Sequence, residues 1–335
     1  MFKPNVFLLT ISMLLTACGG GGGGSGAPST GNPPVIAQPP VAASNVLFVT
    51  DRENKAIAAF DTLAPAPGSA TMIGKVLTSD AGIGYGAQLD SQRDLLYTAY
   101  VNQINVHANA RTLAGRVTPA RTITVNIANV FLNRMVLDTA NDRMYVGYQG
   151  GSVSAGFAVF DKISTLSGQV TPSRMFRGPI DIDHFAIDTK RAILYSKHIH
   201  LTSEVYVFVG IDSAQGEQAI ARRIPNEGQN IVGLAVDAER DRLYAGVDTG
   251  SLFVFSEASK TNKNIRYGNI LPGWRRGGVM ALDTRNDRLY AGLDSTTFIV
   301  NSASTIGQPG WPMPLAVSVM AGARIEGFAF YIVSA

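Results

Sequence analysis

Cysteine is almost absent from this chain of 335 residues: Cys18 stands alone. A single thiol excludes an internal disulfide framework, a Cys-rich metal site and a C-x-x-C-H haem attachment. Histidine is scarce as well, with His107, His184, His198 and His200 the only copies. Charged residues make up only 16% of the chain, and the net charge of +3 comes from scattered Lys and Arg. That pattern lacks the clustered basic patch of a nucleic-acid footprint. There is no phosphate-cradling GxxxxGK[ST] loop, no G-x-S-x-G nucleophile elbow and no loop set recognisable for a quinone cofactor. The apolar stretch from Val6 to Leu15 is too short to span a bilayer.

What the chain does have is a phrase repeated five times without a gap. It reads LDSQRDLLYTAY from Leu89, LDTANDRMYVGY from Leu137, IDTKRAILYSKH from Ile187, VDAERDRLYAGV from Val236 and LDTRNDRLYAGL from Leu282. The marker aspartates are Asp90, Asp138, Asp188, Asp237 and Asp283, a period of about 46–50 residues. Each copy has an apolar run, a polar turn and a second apolar run, the pattern of a hairpin. Asp at the entrance to a turn bonds the amides ahead of it, so the marker carboxylates read as structural rather than catalytic. In the third copy the Asp-Arg pair is replaced by Arg191-Ala192 and the run ends in His198.

A third run follows each hairpin, from INVHA at 104–108 to TFIVN at 297–301, and then a weaker fourth run such as RTITVN at 121–126. Four strands per unit make a propeller blade, with the fourth as a charged outer edge. His107 aligns with Phe160, Phe208 and Phe255, a packing position between blades. At the ends, residues 46–61 match a second and third strand without a first, whereas Gly327–Phe330 match a first strand without partners. The expectation is an all-β, six-bladed β-propeller of four antiparallel strands per blade, with N- and C-terminal strands sharing one blade. Residues 45–335 shared among six units give about 48 each.

The first 18 residues read as a signal segment, with Lys3 before the apolar run. Leu15-Thr16-Ala17-Cys18 resembles the bacterial lipobox, and the resemblance implies cleavage before Cys18 and acylation of its thiol. Residues 19–44 are rich in Gly, Ser and Pro and form a tether that cannot bury a core. Residues 45–335 are the propeller domain, expected to be monomeric. Gly19 is not the Asp that marks inner-membrane retention in enteric bacteria. The expected location is therefore the envelope, anchored in the lipid bilayer, at the outer rather than the inner membrane.

Phrases such as Leu234-Ala235-Val236-Asp237 with Asp241-Arg242-Leu243-Tyr244, and Val117-Thr118-Pro119-Ala120-Arg121, resemble the bacterial YVTN/NHL/lactonase-like β-propellers, in particular repeat-type propeller lipoproteins. In such propellers the loops leading into each first strand lie around a central funnel. Here those loops differ most between repeats and bring Tyr85, Arg134, Asp183, His184, Asn230, Trp274, Arg275, Arg276, Arg324 and Glu326 as candidate ligand-face residues. Trp274-Arg275-Arg276 with Arg324 would form a positive rim for an anion. A divalent metal is the one cofactor the chain suggests, with Asp181, Asp183, His184, His198 and His200 as its candidate ligands. The leading expectation is a non-enzymatic binding or scaffold module for an envelope protein or polymer. The alternative is a metal-assisted, lactonase-like hydrolase with its site in the funnel.

Overall fold

The computed structural model describes residues 46–51, 55–61, 71–78, 86–113, 115–150, 155–179, 182–198, 204–261, 264–267, 271, 278–293, 296–306, 315–318 and 325–331. The chain divides into two units, 1–41 and 42–335, and the second carries every described strand. Among the described residues the strands form six sheets. The sheets are all-β propeller blades in build: each runs from an inner strand, through two neighbours, to an outer strand, all antiparallel. The terminal sheet joins the two ends of the domain. Ile325–Tyr331 is its inner strand and pairs with Val46–Asp51, followed by Ala56–Asp61 and Thr71–Thr78. In chain order the inner strands of the other sheets are Ala87–Asp90, Phe131–Asp138, Ile182–Asp188, Ile231–Asp237 and Val279–Asp283. These inner strands contact one another in succession, and Ile325–Tyr331 contacts Ala87–Asp90.

The strands alternate because each sheet buries both faces against its neighbours. Tyr97, Val106 and Ile123 of the second sheet pack with Met135, Val146 and Phe160 of the third. The repeated Tyr97, Tyr145, Tyr195, Tyr244 and Tyr290 are among the largest fully buried side chains, each at the centre of a second strand. Burial of one such side chain contributes roughly 1.5–3 kcal/mol, so the repeated phrase is first of all a core-packing pattern.

The marker aspartates close the first hairpin. Asp237 accepts from the amides of Glu239 and Arg240 at 3.1 and 3.0 Å, and from the Arg240 guanidinium at 2.9 Å. Asp90, Asp138, Asp188 and Asp283 accept the turn amides in the same way and are all buried. A buried carboxylate is costly unless its oxygens are satisfied; Asp90, Asp188 and Asp237 pair with an arginine, and Asp138 and Asp283 accept from the side-chain amides of Asn141 and Asn286 instead.

The second turn aspartate ties the hairpin to the loop after the third strand. Asp94, Asp142, Asp241 and Asp287 all have positive φ, a conformation Asp tolerates. Asp142 accepts from the Ser164 amide and hydroxyl at 3.1 and 2.7 Å. Asp241 does the same with Ser259, and Asp287 with Ser304. In the fourth sheet Ala192 stands at this position, still at φ 54°. Its carbonyl keeps the main-chain bond from Ile211 N at 3.1 Å. The residue standing where the serines stand is Asp212, so an aspartate at 192 would face a second carboxylate. The register also places Arg191 with Arg93 and Arg240, since all three reach back to their marker aspartate. The break in the third phrase is therefore Ala192-Ile193 in place of Asp-Arg, and it has a packing explanation.

The fourth strand is not the outer edge in three of the sheets. Gly115–Val117 pairs in parallel with Thr71–Thr78 of the terminal sheet. Gly168–Val170 adds to Arg121–Val125, and Gly216–Glu217 adds to Arg174–Arg177. Each of these short strands comes from the next sheet's loop and begins at a glycine with φ near 70°. The expectation of four strands per blade is corrected here to five in those sheets, because the crossing loop is long enough to reach back. Arginines fasten the same seam: Arg121 donates to the carbonyls of Ser164 and Leu166, and Arg222 to those of Ala258 and Thr261. The fourth sheet gains no such strand, because the fifth sheet's loop after Ser256 reaches its next strand at Asn264, too soon to supply one. There the outer strand is Arg222–Pro225, and Pro225 stands where Thr124 stands in the second sheet. The amide of Val125 points inward to Asn102 O and that of Asn126 outward to Val170 O, so the amide of residue 124 points outward. Proline removes that outward donor, which keeps other strands from adding to the edge.

Two outcomes follow from these seams. Ala192→Asp is expected to lower stability by about 1–2 kcal/mol in urea unfolding, and Asp212→Ser in the same chain should recover it; additive single effects would contradict the pairing. Pro225→Thr should leave the melting temperature within about a degree while raising self-association, read by light scattering of the domain.

Candidate functional site

The inner strands enclose a cavity of about 320 Å³. Its walls are Gly86–Gln88, Arg134–Leu137, His184–Ile187, Leu234–Val236 and Val279–Leu282. Counting back four residues from each marker aspartate gives Gly86, Arg134, His184, Gly233 and Val279. The other three strands thus carry glycine or valine at this level, and the two that differ, Arg134 and His184, lie on neighbouring strands. The other polar side chain in the wall, Gln88, bonds Leu137 N at 3.0 Å and Ala87 O at 2.8 Å, joining two inner strands. The rest is small or apolar, with Phe185 an aromatic member.

A register shift marks the same level. Val146 pairs with Met135 but Tyr148 pairs with Leu132, so Asn133 and Arg134 oppose Gly147 alone. The fourth sheet repeats this with Asp183 and His184 opposite Lys197. Shifts also fall between Ile231 and Gly233, and at Glu326 between Ile325 and Gly327. These are β-bulges, which re-aim side chains and recur beside sites. A Cβ on Gly147 would come 2.9 Å from Phe185 Cε1, so the third sheet has no room for a side chain there. The fourth sheet carries Lys197 at this position, and it is buried.

Of the candidate ligand-face residues, Arg134 and His184 meet at the cavity, His184 buried and Arg134 half-buried. Asp183 and Glu326 lie on the bulges, but their side chains are outside the described residues, as is that of His198. Asn230 donates to Asp248 Oδ2 at 2.9 Å and accepts the Asp248 amide on its carbonyl, so it braces two loops. Tyr85, Asp181, His200, Trp274, Arg275, Arg276 and Arg324 lie outside the described residues, as does Cys18. Among the described residues no group of three metal-ligating side chains forms. No helix among them is long and apolar enough to cross a membrane. Lys197 escaped the reading of the sequence, although its signal was there: it is a lysine aligned with Ala99, Gly147, Gly246 and Gly292.

His107 is a packing residue. It is buried, and burial lowers its pKa to about 4. Neither ring nitrogen has a hydrogen-bond partner among the described residues. The folded form therefore resists protonation that the unfolded chain accepts near pH 6.5. This stabilisation is full above pH 6.5 and is lost as pH falls toward 4. His107→Phe, the residue its sister sheets use, should remove about 2–3 kcal/mol of pH dependence over that window, measured as the difference in urea unfolding between the two chains.

The sheets and their central cavity define a β-propeller. A chain in a crystal structure of a nidogen/laminin complex is similar in fold, with a TM-score of 0.58 over 87% of this chain and 100% of that one, at 11% identity. No protein-family profile and no curated protein matches the sequence.

Proposed function

We propose that this chain is a lipid-anchored envelope protein whose propeller is a non-enzymatic binding or scaffold module for a protein or polymer partner. In this reading the six sheets are the six blades of a ring that closes through the terminal sheet. Acylated Cys18 holds the domain to the outer membrane, and residues 19–44 are its leash, reaching a few nanometres at roughly 5–6 Å × √n. The observation that carries the binding role is the division of labour in the repeat. The turn aspartates, tyrosines and crossing loops are committed to one another, whereas the residues that differ between sheets gather around the cavity and at its bulges. A propeller suits a binding module, and the structural likeness to a chain from a complex of two proteins supports that role. A metal-assisted hydrolase is the second reading, favoured by the bulge that carries Asp183 and His184 opposite Lys197.

Phe131 is 52% exposed at the start of an inner strand, and Val209 is 56% exposed at the far end of a third strand, on the opposite face. A photo-crosslinker at 131 in intact cells is expected to capture a reproducible partner, and one at 209 is not. Capture at neither site across growth conditions would count against the binding role. Cys18→Ser should move the protein from the membrane to the soluble fraction. Chelation should leave the melting temperature of the isolated domain unchanged, whereas stoichiometric metal, with activity lost in His198→Ala, would favour the hydrolase.

A further inference from the structure

We propose that the central cavity binds a small amphipathic carboxylate, with its head at Arg134 and His184 and its apolar body along the apolar remainder of the wall. The inference rests on the reading of the cavity as a site, and it adds the chemical class of a ligand separate from any macromolecular partner. Two observations carry it. The cavity walls place a guanidinium and an imidazole on adjacent inner strands at the same repeat level, while the other described walls at that level offer only glycine or valine. Both residues also sit on β-bulges, which re-aim side chains at this level, as bulges do on two other inner strands. Arginine matches a carboxylate through two parallel N–H donors, and histidine adds a third donor when it carries a proton on the facing nitrogen. The remaining surface, including Leu137, Ile187, Val236 and Leu282, is apolar. A hydrated phosphate would leave that surface uncovered, whereas a carboxylate with a hydrocarbon body would cover it. A volume of about 320 Å³ lies at the lower end of the range for small-molecule pockets and suits a body of several carbons.

Octanoate is the probe, titrated calorimetrically into the domain comprising 45–335, with octanol and octylamine as uncharged and cationic controls. Octanoate is expected to bind at one site, at least tenfold more tightly than either control, and more weakly as salt is raised. Arg134→Gln should weaken it at least tenfold, and His184→Gln severalfold. Ala281→Leu, at a partly exposed position of the wall away from the charged pair, should also weaken binding at least tenfold in a chain whose circular dichroism remains that of the parent. Equal binding of the three probes, no octanoate binding at millimolar concentration, or undiminished binding in a folded Arg134→Gln chain would overturn the proposal. Crosslinking at position 131 reads the macromolecular partner independently, so failure of the carboxylate leaves that outcome to be judged by itself.

Discussion

The main-chain pairing of Val46–Asp51 with Ile325–Tyr331 is the contact on which the rest of the domain depends. No sheet in this chain buries both its faces alone, and each relies on a neighbour on either side for its core. The apolar clusters show this directly: residues of the terminal sheet pack with Leu96 and Ala110 on one side and with Val279 and Tyr290 on the other. Without the last strand, the terminal sheet would have an open inner edge and the succession of inner strands would be broken. Local contacts build each sheet, but one pairing across nearly the whole domain makes the sheets mutually supporting.

Within that frame the repeat separates its duties. The buried turn carboxylates, the clasp from the second turn aspartate to the crossing loop, and the arginines that reach into the next sheet are all polar groups satisfied inside the scaffold. The departures from the repeat near the cavity are Arg134 and His184 on inner strands and Lys197 on the second strand of the fourth sheet, polar side chains where the sister sheets have glycine, valine or alanine.

Much of the scaffold was legible in the sequence because its signals are local. The alternation around each marker aspartate sets two strands and a turn. The incomplete matches at residues 46–61 and 327–330 showed that the ends share a sheet. The short fifth strands were not legible: three residues beginning at a glycine, such as Gly115–Val117, carry no periodicity, and their pairing depends on loop reach. The break in the third phrase had no reading in the sequence because the meaning of Ala192 lies in Asp212, some twenty residues on, and only the folded clasp brings the two together. At the site, Arg134 and His184 were picked out as loop residues, yet they prove to belong to bulged strands. A bulge is a difference in pairing count between two strands, which neither strand shows by itself.

The strand that completes the terminal sheet is the last to be made, and its partner is the first. During synthesis, and during any passage through a membrane in extended form, Val46–Asp51 emerges long before Ile325–Tyr331 exists to pair with it. The domain therefore reports on its own completion: a chain cut short anywhere before residue 325 keeps one open edge on the apolar strand Val46–Asp51, visible to chaperones and proteases. The same arrangement sets the pace of folding, because closing a loop of this length must precede the contact that rewards it.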